Sequence, residues 1–176
     1  LVVGALIGPF SLPTMLMGTR KFLSLLLSPS HTRQRYLAPL LQHMIAYTQA
    51  WARALFEAGC DLVVVAEGIA SATVIDEATF KKLALPALRT FCEGLQGQGH
   101  LALEFVGRAT PHLRATRELG FMAWLVGEED GVKEPRQELG DQGALVGAVN
   151  NLKLLRWKPE RIEFEARRLI HEAGPG

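Results

Sequence analysis

This chain has little net charge: 19 basic residues offset 18 acidic ones over 176 residues, leaving a formal +1. No basic stripe marks a nucleic-acid surface, and no acidic tail marks a solvating segment. Cysteine is scarce. Cys60 and Cys92 lie far apart without CxxC spacing and read as reduced thiols of a cytoplasmic protein, not as a disulfide framework. Long apolar runs are also missing, since Gly, Pro, Ser or charge interrupts each one well short of the ~20 residues a membrane-spanning helix needs. Leu1 to Phe10 is apolar but lacks the basic start of a signal peptide, and the opening on Leu1 rather than Met reads as a fragment or a processed product. Neither GxGxxG nor GxxxxGK[ST] occurs, so nucleotide-binding folds have no support.

Hydrophobic residues make up 48% of the chain, enough for one core. Five short apolar runs carry much of that content: Leu1–Ile7, Asp61–Glu67, His100–Val106, Phe121–Val126 and Ala144–Gly147. Near-continuous Val- and Leu-rich runs suit strands buried on both faces. Helical patterns fill the gaps. Arg33 to Ala58 stops at Gly59, and Asp76 to Leu95 opens on an N-cap acid. Pro111 to Leu119 and Pro159 to Ala173 each start on proline and stop before glycine. Strand–helix alternation of this kind predicts an α/β fold with right-handed crossovers and a parallel sheet, either a barrel or an open doubly wound sheet.

Polar residues inside such patterns are informative. Glu104 interrupts the third apolar run, and strand alternation puts it on one face with Val106. It reads as a polar site group; the alternative is a structural ion pair with Arg108. His112, after Pro111, is expected at the surface, and His100 at the far end of its strand reads as structural. His31, His43 and His171 show no ligand spacing. Met44, Tyr47, Trp51 and Phe56 recur at helical spacing and are expected to form a core face.

Several segments resemble one family in order and spacing. Gly8-Pro9-Phe10-Ser11-Leu12 after the first strand is similar to the GPF[ST]L turn of the uroporphyrinogen decarboxylase and methylcobalamin:coenzyme M methyltransferase family. Glu67, Ala70-Ser71 and IDEATFKKLALPALR resemble the methyltransferases' AEPSAS…IS…F…LP. The third strand with Gly107 and Thr110-Pro111 is similar to their HxCGNTTP, LGDQGALVGAVN to VGDRVALVGNVD, and KPERIEFEARRLIHEAG to the last family helix.

The resemblance implies a partial TIM-type (β/α) barrel, about five of eight parallel strands with outer helices. It makes residues 1–176 a single uroporphyrinogen-decarboxylase-like domain lacking the N-terminal strands and the last strand. The site would then lie at the carboxyl ends of the strands. Glu104 is the candidate catalytic group, and Gly8, Phe10, Glu67, Ser71, Arg108 and Asn150 are candidate substrate-binding residues.

In the methyltransferases the pair matching Glu104 and Val106 is His and Cys, both zinc ligands, so no metal site is expected here. Gly127 stands where the family carries Asp, and Ala148-Val149-Asn150 replaces its NVD. The implied activity is methyl transfer between a corrinoid and a thiol or similar acceptor. No bound cofactor is expected, and for methyl transfer the resemblance implies a corrinoid carried by a partner protein. The alternatives are porphyrinogen decarboxylation, for which Met15 and Ala87 replace that branch's tyrosines, and a non-catalytic scaffold. The partners implied are a corrinoid protein, a small-molecule substrate, and a second copy or complementing chain. Neither nucleic acid nor membrane is expected.

Overall fold

A computed structural model describes residues 1–174, and in it the five apolar runs form one parallel sheet. The strands are β1 (Val3–Ile7), β2 (Leu62–Ala66), β3 (His100–Glu104), β4 (Ala123–Val126) and β5 (Ala144–Gly147), hydrogen-bonded in the order β1-β2-β3-β4-β5. Each crossover therefore advances by one strand in one direction. A doubly wound sheet would reverse direction, so the order is that of a barrel arc.

Helices occupy every crossover. Between β1 and β2 run α1 (Pro13–Met17), α2 (Thr19–Leu26), α3 (Ser30–Thr32) and α4 (Ala38–Glu57). Next come α5 (Glu77–Thr79) and α6 (Leu85–Glu93), then α7 (Thr110–Thr116) and α8 (Lys133–Leu139), with α9 (Asn151–Leu154) and α10 (Pro159–Ala173) after β5. Two single π turns, Arg33–Leu37 and Phe80–Ala84, lead directly into α4 and α6. Pro39 and Pro86 follow each turn by two residues. A proline lacks the N–H and crowds the carbonyl four residues back, and the wider turn makes room for its ring.

Register sorts the side chains into two faces. Leu101, Leu103, Val63, Val65, Trp124 and Val126 pack under the helices with Phe22, Phe91 and Leu113. Val64, Ala102 and Ala123 form a small cluster on the opposite, inner face. That face carries one continuous row at the carboxyl ends, in which Ile7, Ala66, Glu104, Leu125 and Val146 are successive register partners.

Two expectations are corrected. β3 ends at Glu104 rather than Val106, and β4 starts at Ala123 rather than Phe121. The left-handed Gly107 (φ 110°) turns the chain out of the sheet just past β3. The core face of α4 is Leu41, Thr48 and Ala52, while Tyr47 is 57% exposed and meets Trp51 edge-on at 6.1 Å. Small residues make the closest contact of this helix with β1 and β2, while Trp51 and Phe56 pack partly buried against the core as expected and Tyr47 alone of the aromatics turns outward.

Candidate functional site

The carboxyl ends of β1 to β5 open on one side of the arc, and their loops are tied together by buried acids. Glu67 follows β2 and is fully buried. Alternation turns its side chain to the face opposite Ala66, back over the turn after β1. There Oε1 accepts the Phe10 N–H (3.0 Å) and Oε2 accepts the Ser11 hydroxyl (2.6 Å), while Ser11 Oγ accepts the Ile69 N–H (3.0 Å). Burial pushes the Glu67 carboxyl up to about 7, although these donors pull the other way. Gly8 permits the approach, because a Cβ there would lie 2.2 Å from Glu67 Oε1.

A second acid does the same job two strands on. Asp130, in the loop after β4, is 8% exposed and accepts the Ala109 N–H (2.7 Å), the Thr110 N–H (2.9 Å) and the Thr110 hydroxyl (2.5 Å). It caps the head of α7 from another loop, satisfying donors that no residue of the helix itself serves. Glu128, by contrast exposed, accepts from the side chains of Lys153 (Nζ, 2.7 Å) and Asn150. Asp130→Ala should therefore cost about 2 kcal/mol, the range for hydrogen bonds to a charged group lost without replacement. A urea melt checks this, and a change below about 0.5 kcal/mol would contradict the capping role.

Glu104 lies at the mouth end of the inner face and is half-buried. Its inner-face neighbours in register are Ala66 and Leu125, and no ion pair joins it to Arg108 among the described residues. Val106 is 59% exposed. Arg108 is exposed, and its backbone is held by the Thr73 hydroxyl (2.9 Å, to its N–H) and by the Ala72 N–H (2.8 Å, to its carbonyl).

The other candidates stand behind the mouth. Phe10 is fully buried, its ring edge-on to Phe22 at 5.6 Å. Ser71 is fully buried and donates to Gly68 O (2.8 Å). Asn150 caps α9 by accepting the Lys153 N–H (2.7 Å). Gly8 gives its N–H to Ala66 O (2.8 Å) and takes the Leu12 N–H (2.9 Å), closing the turn.

His112 corrects an expectation: it is fully buried, not on the surface. Its ring stacks on Phe80 at 4.2 Å and meets Phe105 edge-on at 6.1 Å. The aromatic at 80 comes from a distant helix, so no local pattern announces the sandwich. Asp130 was also missed. The only sequence signal for it is the acid run Glu128-Glu129-Asp130 between two glycines after an apolar strand. Among the described residues, no three His, Cys, Asp or Glu side chains converge as metal ligands, and no helix is long and apolar enough to cross a membrane.

Comparison with known proteins agrees with this geometry. The family model described as uroporphyrinogen decarboxylase matches residues 1–176. The methylcobamide:CoM methyltransferase MtaA of Methanosarcina barkeri is 26% identical over 168 residues, which cover 94% of this chain and 48% of that protein. MtbA of Methanosarcina mazei, named for the same activity, is 25% identical over 178 residues, covering 99% and 50%. A solved methyltransferase from Methanosarcina mazei superposes with a TM-score of 0.85 at 23% identity, over 97% of this chain and 49% of that one. The chain spans about half the length of the relatives it matches.

Proposed function

Because this chain belongs to the uroporphyrinogen decarboxylase family, we propose that it contributes the acceptor side of a methyltransferase site, moving a methyl group from a corrinoid on a partner protein to a thiol or similar acceptor. One observation carries the reading. Glu104 is the sole ionisable side chain in the inner-face row at the mouth, between Ala66 and Leu125. The methyltransferase names of the relatives support the chemistry.

The resemblance puts zinc ligands at the positions of Glu104 and Val106. Glu104 offers oxygen donors and Val106 none, and the described residues bring no third donor to them. These residues do not make a zinc site, and no step is assigned to one. What the chain itself can supply is a carboxylate at the mouth. It can take the proton an acceptor thiol must lose before sulfur attacks the methyl carbon. Arg108, exposed in the loop that follows β3, can hold an anionic tail of the acceptor. The outer edges of β1 and β5 have no strand partner among the described residues. Further strands, on this polypeptide, a second copy or a complementing chain, would close the arc.

Methylcobalamin with a thiol acceptor tests the reading by the loss of methylcobalamin absorbance and the appearance of the methyl thioether. Glu104→Gln should lower the transfer rate by on the order of 100-fold while leaving the melting temperature unchanged. Transfer at the wild-type rate by the variant, or transfer by the wild type no faster than in free solution, overturns it. Turnover of a porphyrinogen instead would move the chain to the decarboxylase branch.

A further inference from the structure

We propose that His112 is a proton-operated latch at the barrel mouth: neutral, it locks the loop after β2 to the head of α7, and protonated, it releases the Ala70–Thr73 segment.

The geometry fixes the neutral tautomer. His112 Nδ1 lies 2.9 Å from the Ala70 carbonyl, which can only accept, so Nδ1 carries the hydrogen. Nε2 then holds a bare lone pair, and it is the only buried side-chain nitrogen or oxygen without a partner among the described residues. The ring has no exposure and is clamped between Phe80 and Phe105. A second proton would go on Nε2, where no acceptor waits, and would place a cation among aromatic faces away from water.

The Ala70 contact is where the latch acts. Three residues further on, the Thr73 hydroxyl accepts the Arg108 N–H (2.9 Å), and the Ala72 N–H donates to the Arg108 carbonyl (2.8 Å). Gly107, left-handed at φ 110°, packs so tightly here that a Cβ would lie 2.6 Å from Thr73 Oγ1. Freeing Ala70 thus loosens the strap that positions Arg108.

The charged groups acting on the ring are Asp76 and Glu77, opposed by Lys81, all from the α5 end of the same connection. Both carboxylates are exposed, so an imidazolium reaches them only by leaving its slot. Asp130, at the head of α7, is engaged by the backbone of Ala109 and Thr110. Phe105, just past β3, and the loop after β2 bring the ring an aromatic and a carbonyl. Burial is the largest influence and holds the imidazole below its ordinary value of 6.5. A depressed histidine pKa leaves the folded state at full strength above 6.5 and weakens it as pH falls below that.

Amide hydrogen exchange of the 176-residue chain at pH 7.5 and pH 5.0, corrected for intrinsic rates, reads the latch directly. Peptides covering residues 68–76 should lose protection on the order of 10-fold at the lower pH. Peptides on β2 and β3 should keep theirs. His112→Phe keeps the stack without the proton and should abolish the pH effect. Should that variant not fold, His112→Asn retains a donor for Ala70 and serves the same purpose. Nitrogen NMR of the wild type should show the Nδ1–H tautomer at pH 8. Protection at 68–76 that is unchanged at pH 5.0, or lost equally in a non-titrating variant, or lost uniformly along the chain, overturns the proposal.

Discussion

A Gly8→Ala protein should melt roughly 10 °C below the wild type, a loss of about 3 kcal/mol for a chain of this size. The added Cβ would sit 2.2 Å from Glu67 Oε1, 2.4 Å from Cδ and 2.7 Å from Cγ. Ordinarily the far end of a glutamate swings aside at little cost. This one cannot, because it is fully buried and pinned by the Phe10 N–H and the Ser11 hydroxyl. Displacing it strands a buried carboxyl together with the two donors it satisfied, which is the expensive way to lose a buried polar contact. A second variant separates clash from backbone strain. In a Glu67→Ala background the same Gly8→Ala change should cost less than about 1 kcal/mol, since the atoms it strikes are gone. Equal losses in both backgrounds would mean that the turn itself, and not the clasp, needs glycine.

The clasp shows where sequence reading stops. Strand positions were legible because parallel strands covered by helices must be apolar almost throughout, and all five runs proved to be strands in chain order. Helix starts were legible where a cap is local: Asp76 Oδ1 does accept the Thr79 N–H at 2.7 Å. Alternation sorted the side chains within β3, but the row of Ala66, Glu104 and Leu125 depends on the register between strands, and β3 ends before Val106. By contrast, Glu67 to Ser11, Asp130 to Thr110 and His112 to Ala70 join residues 56, 20 and 42 positions apart. Each depends on which loop lies beside which after the sheet has formed. Periodicity carries no record of that, and a histidine or an acid in a loop looks solvent-facing until its neighbours are known. The aromatics of α4 divide: Trp51 and Phe56 pack partly buried against the core, Tyr47 faces outward, and the fully buried face is Leu41, Thr48 and Ala52.

Stability should fall with rising pH through the neutral range, and Glu67→Gln should remove that slope. The sign follows from the direction of the shift. Burial raises the Glu67 carboxyl from 4.5 to about 7, so the folded protein favours the protonated acid more than the unfolded chain does. The stability this contributes is fully present below 4.5 and is lost as pH rises through about 7. Integrated over that window, the difference is about 3 kcal/mol, at 1.36 kcal/mol per unit. Glutamine reproduces the protonated form: its carbonyl can accept the Phe10 N–H and its amide can donate to Ser11 Oγ. The variant should therefore match the wild type at pH 4.5 and exceed it at pH 8 by up to about 3 kcal/mol in urea melts. His112 acts with the opposite sign below 6.5, so the wild-type profile alone mixes two titrations. The difference between wild type and variant, measured pH by pH, cancels the histidine and leaves the glutamate. A difference that stays flat from pH 4.5 to 8 would mean that Glu67 remains ionised in its slot, held by its donors against the pull of burial.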